Sequence, residues 1–210
     1  MRALVLATQN AKKRKELEAL TEGTFRVLTL DDVGLSDLDI VEDADTFQGN
    51  ARIKAEAVLA ALGARGALGD VAAVLADDSG LCVDALGGAP GVRSARFAKD
   101  HDAGEGDEAN NALLLARLGD VADEQRAARF VCAICVKLPD GRVLEAEGAV
   151  EGKIARDERG AGGFGYDPLF CPEEAPGKRM AELSPEEKHA ISHRGRATRE
   201  ALGKLREVVG

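Results

Sequence analysis

The chain has 210 residues, 45% of them hydrophobic and 31% charged, enough material to bury a sizeable core without disulfides or structural metals. Lys and Arg number 28 against 37 Asp and Glu, for a net charge of −9, and so acidic a chain lacks the broad positive footprint of a duplex nucleic-acid binder. One small anion remains a plausible ligand class, because a few local cations and a bound divalent metal outweigh the average field. The opening MRALVLATQN is too short an apolar stretch for a secretory signal, and no apolar run is long enough to span a bilayer. The expectation is a cytoplasmic protein that binds neither nucleic acid nor membrane.

In chain order, residues 3–8 (ALVLAT) predict a short buried strand, followed by the basic segment from Lys12 to Glu16, where a helical stripe begins at Leu17 and Leu20. Residues 46–62 carry Phe47, Ala51, Ala55, Val58, Leu59 and Leu62 at helical spacing, with Asp45 or Thr46 as the cap. Residues 71–76 (VAAVLA) predict a second buried strand ending at Asp77-Asp78-Ser79-Gly80. Glycines and a proline in residues 87–91 predict a loop, and residues 110–118 a short helix. Residues 129–138 and 142–150 flank Pro139-Asp140-Gly141 as a hairpin. Ser184, Pro185 and Glu187 supply a capping box with proline at the first helical position, and that helix is expected to bend near Gly195 before continuing through Leu202 and Leu205. The pattern predicts one α/β domain over residues 1–210, with a mixed β-sheet and flanking helices.

Four cysteines, Cys82, Cys132, Cys135 and Cys171, do not make a disulfide framework at this size. Cys132 and Cys135 form a C-x-x-C, but three residues apart on a strand they point to opposite faces, so they read as small buried apolar residues.

Four constellations carry chemistry. Thr8-Gln9-Asn10-Ala11-Lys12-Lys13 leaves the first strand for a helix N-terminus, where unpaired backbone N–H groups and a lysine suit a phosphate; taken alone, a solvated turn opening a basic helix face is the better reading, since no glycine-rich phosphate loop is present. Asp77 and Asp78 sit where burying unpaired charge is expensive. Alternation turns one toward a ligand and the other toward the structure, and oxygen donors of this kind suit Mg²⁺, with Glu42 a distant second ligand; an Asx-type turn is the competing reading. In the glycine-dense run from Gly162 to Pro168, Phe164 offers a stacking face and Asp167 an acceptor for a base N–H, and an ordinary glycine-rich turn with an aromatic anchor reads equally well. Last, Lys188 and Ser192 share a helical face, His189 and His193 the adjacent one, and His193-Arg194 suits a carbonyl oxygen. A zinc site is set aside because Ala190 follows His189 where H-E-x-x-H needs glutamate.

Together, Thr8-x-Asn10-x-x-Lys13, Asp77-Asp78-Ser79-Gly80-Leu81, the run from Gly162 to Pro168 and Ser192-His193-Arg194-Gly195 closely resemble the non-standard purine nucleoside-triphosphate pyrophosphatases, the inosine/xanthosine triphosphatase family of the Ham1/RdgB type. The resemblance runs nearly the whole length and implies two lobes around a nucleotide-binding cleft, usually in a homodimer. It implies that Thr8, Asn10 and Lys13 hold the triphosphate, that Glu42 and Asp78 hold Mg²⁺, and that Asp78 is the general base with Ser79 beside it. Phe164, Gly165, Tyr166, Asp167, Lys188, His193 and Arg194 would frame the base and sugar. The implied reaction converts ITP, XTP and their deoxy forms to monophosphate and pyrophosphate. Gln9 departs from the glycine many members carry there, a strain if that position needs an unusual backbone angle. A pyrimidine-nucleotide pyrophosphatase of the Maf type lacks the GGFGYDP and SHR elements, and a non-catalytic nucleotide sensor would gain little from a metal-and-water site.

Overall fold

The computed structural model describes residues 2–21, 23 and 25–209. Six strands form one sheet: β1 (Ala3–Leu6), β2 (Arg26–Leu28), β3 (Val71–Val83), β4 (Ala127–Lys137), β5 (Val143–Ile154) and β6 (Phe170–Pro172), in the order β2-β1-β3-β4-β5-β6. The helices are α1 (Ala11–Thr21), α2 (Phe47–Ala64), α3 (Gly106–Arg117), α4 (Pro185–Ile191) and α5 (His193–Val209). β1 runs parallel to both β2 and β3, whereas β6 is antiparallel to β5. The neighbouring strands β4 and β5 join through a turn in which Gly141 N–H donates to Leu138 O at 3.0 Å, a connection short enough only for an antiparallel pair. The sheet is therefore mixed, as the sequence pattern predicts.

The chain divides into two compact units, residues 1–78, 132–148 and 194–210 in the first and residues 79–131 and 149–193 in the second. In the first unit β1 is buried on both faces, as a parallel strand of continuous apolar character should be. Leu4 and Leu6 enter a core with Leu17, Leu75, Ala197, Ala201 and Leu205. Val5 and Ala7 enter another with Ala51, Ala55, Val58 and Leu62 of α2. Cys132 belongs to the former and Cys135 to the latter, so the two thiols do point apart and all four cysteines are free. In the second unit Leu81, Phe97, Leu114, Phe130, Tyr166 and Phe170 form the core. There the guanidinium of Arg126, 2% exposed, donates to the carbonyls of Ile154 (2.8 Å), Leu118 (2.6 Å) and Ala155 (3.0 Å), binding the end of α3 to the end of β5.

Three features differ from the sequence expectation. β3 does not stop at Asp77 but continues to Val83, because the buried carboxylates in its middle are compensated by distant cations. The C-terminal helix breaks at Ser192, in extended conformation (φ −64°, ψ 149°), not at Gly195, so Lys188 and Ser192 do not share the face of one continuous helix. The short strands β2 and β6 carry too little pattern to be seen; β6 ends on Pro172 at the sheet edge, where a missing donor costs no ladder bond.

Candidate functional site

In the first unit the turn after β1 is built by its own side chains. Asn10 Oδ1 accepts from the backbone N–H of Lys12 (3.0 Å) and Lys13 (3.1 Å), capping α1, and Thr8 Oγ1 accepts from Asn10 N–H at 3.2 Å. Gln9 carries no strain, since Asp102 is the one non-glycine residue with positive φ among the described residues. Its amide instead donates to the carbonyls of Ser36 (3.0 Å) and Leu38 (3.1 Å).

The capped helix delivers Lys13 to Asp77, Nζ to Oδ2 at 3.4 Å. Arg194, 2% exposed, brings Nε to the same oxygen at 3.2 Å and also pairs with Glu16 of α1. Asp77 Oδ1 is buried with no hydrogen-bond partner. Burial alone would raise the Asp77 pKa; the charges of Lys13, Arg194 and Lys54 overcome it and hold the carboxyl far below the usual range. Arg194, which the resemblance places beside the base, has its fork engaged by two carboxylates of its own unit.

Asp78, the next residue, turns to α2, as strand alternation requires. Its Oδ2 accepts from Asn50 Nδ2 at 3.1 Å, and its Oδ1 lies 3.7 Å from Lys54 Nζ. The same ammonium reaches Glu42 Oε2 at 2.8 Å, so Glu42 and Asp78, far apart in sequence, share one cation. Asn50 Oδ1 accepts from Ala44 N–H at 3.0 Å, and a Cβ at Gly49 would stand 2.6 Å from Ala44 Cβ, so the segment carrying Glu42 is drawn tightly onto the first turn of α2. Desolvation raises the Asp78 pKa against the lowering effect of Lys54, Lys13 and Asn50. Lys54, which burial would discharge, is kept charged by Asp77, Asp78 and Glu42. Sequence reasoning missed Asn50 and Lys54; the signal was a polar pair four residues apart flanking the apolar stripe of α2, where a lysine buries only if paired.

In the second unit Asp167, 3% exposed, organises the glycine-rich turn. Its Oδ2 accepts from Phe164 N–H at 2.8 Å and from Lys188 Nζ at 2.9 Å, and Lys188 Nζ lies 4.9 Å from the Phe164 ring centroid. Gly163 has φ +72°, and a Cβ there would meet Asp167 Oδ2 at 2.0 Å, so only glycine admits the carboxylate. Tyr166 is part of the core, its hydroxyl donating to Ser94 O at 2.8 Å. His193, 6% exposed, stacks on Phe130 with centroids 4.9 Å apart and planes at 13°. Ser79 lies half-buried on β3. Of the residues expected around a base, the structure joins Phe164, Asp167 and Lys188 directly and gives Tyr166 to packing.

The donor sets decide what each cluster can hold. Among the described residues no three His, Cys, Asp or Glu side chains converge as a metal cage. Two carboxylates sharing an ammonium form an oxygen-only set, which fits a hard cation that takes one or two protein carboxylates and completes its shell with water and phosphate. Fold and site thus define an α/β protein with two carboxylates on a shared ammonium in one unit and a lysine–aromatic–carboxylate cluster in the other. The chain belongs to the Ham1 family, whose model it matches over residues 4–204. It is 45% identical to a dITP/XTP pyrophosphatase of Corynebacterium glutamicum strain R over 98% of this chain and 97% of that one. It is 44% identical to a dITP/XTP pyrophosphatase of Streptomyces coelicolor over the full length of both. The Staphylococcus aureus Ham1 protein structure superposes with a TM-score of 0.81 at 37% identity, covering 99% of this chain and 100% of that one. No helix among the described residues is long and apolar enough to cross a membrane.

Proposed function

We propose that this chain, acting as one domain over residues 1–210, hydrolyses the triphosphates of deaminated purines (ITP, XTP and their deoxy forms) to nucleoside monophosphate and pyrophosphate. Relatives of near-equal length that bear the name dITP/XTP pyrophosphatase support the substrate class. The observation that carries the reading is the sharing of Lys54 between Glu42 and Asp78, which sets two carboxylates and an ammonium in one place.

In this reading Glu42 and Asp78 hold Mg²⁺, which when bound neutralises phosphate charge and orients the oxygens. Asp78 accepts a proton from the water that attacks the α-phosphorus, its basicity supported by a desolvated environment. Lys54 keeps the carboxylates aligned, Lys13, anchored on Asp77, carries positive charge toward the leaving pyrophosphate, and Thr8 and Asn10 hold the triphosphate by hydrogen bonds. Ser79 contacts substrate beside Asp78. Phe164 stacks on the base, with Gly165, Asp167, Lys188 and His193 around it. Lys188 is a donor without acceptor capacity; a 6-oxo purine satisfies it, whereas the amino group of adenine opposes it with another donor. A buried polar mismatch costs about 1–3 kcal/mol, so discrimination against ATP of about tenfold or more follows from one such contact. Arg194 acts through Asp77 as a holder of Lys13. The protein works in the cytoplasm as a homodimer, a state that sedimentation at micromolar concentration tests.

The decisive assay follows pyrophosphate and orthophosphate release from ITP, XTP, GTP and ATP, with Mg²⁺ and with EDTA. Metal-dependent pyrophosphate plus IMP or XMP, far faster than from ATP, is expected; orthophosphate, or indifference to the base, would overturn the reading. Asp78→Asn is expected to abolish turnover with the fold intact by circular dichroism, and retained turnover would remove Asp78 as the base.

A further inference from the structure

One residue in the second unit, Gly165, is gripped through both of its flanking peptides by a single helix. Gly165 N–H donates to Asp107 Oδ2 at 2.9 Å, and Gly165 O accepts from Asn111 Nδ2 at 3.2 Å. Asp107 and Asn111 are four residues apart on α3 and so share a face. Gly165 has φ +62° with nothing within 4 Å of an added Cβ, so conformation and not crowding asks for glycine, and glycine by itself resists reorientation least. On one side of this residue is Phe164, and two residues beyond it is Asp167, the pair that also engages Lys188.

Asn111 is an expensive choice for its place. The residue is 3% exposed and its Oδ1 is buried with no hydrogen-bond partner. An apolar side chain of similar volume would satisfy the fold better, since an orphaned buried acceptor opposes stability. What leucine cannot supply is the Nδ2 donor to Gly165. The helix itself is anchored independently, by Asn110 accepting from Ala98 N–H at 2.7 Å and donating to Ala95 O at 3.3 Å. The α3 face is thus a fixed platform for the turn.

We propose that Asp107 and Asn111 are positioning residues that set substrate affinity by holding the two peptides that flank Gly165, and with them the Phe164 ring and Asp167 carboxylate, in the orientation that receives the purine base. The inference rests on the reading of the Phe164–Asp167–Lys188 cluster as the base site. It is tested with Asp107→Ala, Asp107→Asn, Asn111→Leu and Phe164→Ala, measuring kcat and KM for ITP, calorimetric Kd for α,β-imido-ITP, and Tm. Loss of either grip is expected to raise KM and Kd about five- to tenfold with kcat held within about twofold. Asp107→Asn, whose amide oxygen still accepts the Gly165 N–H, is expected to restore wild-type KM. Asn111→Leu is expected to keep or raise Tm while weakening binding, a combination no purely structural role produces. Unchanged KM and Kd in Asp107→Ala and Asn111→Leu, beside a raised KM in Phe164→Ala, would overturn the clamp alone. An unchanged KM in Phe164→Ala would remove the base site and the clamp with it.

Discussion

Asp77 and Asp78 are chemically identical neighbours with separate work, and the difference is made by what each side of β3 offers. Asp77 faces Lys13 and Arg194; Asp78 faces Asn50 and Lys54. Removing the Asp77 charge leaves a buried guanidinium short of a partner, so Asp77→Asn is expected to destabilise the protein by about 3–5 kcal/mol at pH 7 in urea titrations. The folded-state pKa of Asp77 lies below its unfolded value. Its contribution is therefore full above the unfolded value of about 3.9 and is lost as pH falls through the folded one. The stability gap between wild type and variant is expected to narrow below about pH 4; a gap constant from pH 7 to pH 3 would refute the charge argument. The thiols follow a similar logic. Burial and the nearby Asp77 charge push Cys132 up to about 12, and burial with Glu145 pushes Cys135 up to about 11. Iodoacetamide at pH 8 is expected to modify the half-buried Cys82 and Cys171 ahead of Cys132 and Cys135 in native protein, with mass spectrometry as the readout. That the two aspartates face opposite sides was legible from alternation alone, whereas their partners were not: Arg194 lies 117 residues from Asp77 in sequence, and no local pattern announces such a pairing.

At the level of elements, the helix starts were the most readable features, because a cap is a local interaction. Thr46 caps α2 by accepting from Gly49 N–H at 3.1 Å, and Ser184 with Glu187 closes the expected box on α4. Thr46→Ala is expected to cost about 1 kcal/mol. Since the same turn carries the Asn50 link to Ala44, a loss of metal affinity should accompany it. The helix breaks at Ser192, three residues before the glycine at which the sequence predicts a bend; the chain leaves helical geometry at a serine whose N–H is retained by Lys188 O at 2.8 Å. The extension of β3 through two aspartates was hidden for the same reason as their partners. Arg126 gave no signal at all, yet it joins two elements through three carbonyls. Arg126→Met is expected to destabilise by at least about 3 kcal/mol, since each orphaned acceptor costs about 1–3 kcal/mol; a loss under 1 kcal/mol would mean water replaces the guanidinium.

For the molecule as a whole, the two units are not successive along the chain. β3 passes from one to the other between Asp78 and Ser79, and β4 and β5 also contribute to both. A chain threaded this way has no linker at which to come apart, so a single calorimetric unfolding transition is expected, and two resolved transitions would contradict it. In the proposed reading a cation at Glu42 and Asp78 would contribute little to the fold, so EDTA is expected to stop turnover while leaving Tm within about 2 °C.

Gln9, finally, ties the turn after β1 to the carbonyls of Ser36 and Leu38, only four residues before Glu42. That tether makes position 9 and the segment that follows residue 35 a linked pair in descent. A relative with glycine at position 9 would lack the tether and so be freer to gain or lose residues there, whereas one with glutamine would have to keep the segment's length or surrender two hydrogen bonds. Insertions between residues 35 and 42 should accordingly gather on the glycine-bearing branches.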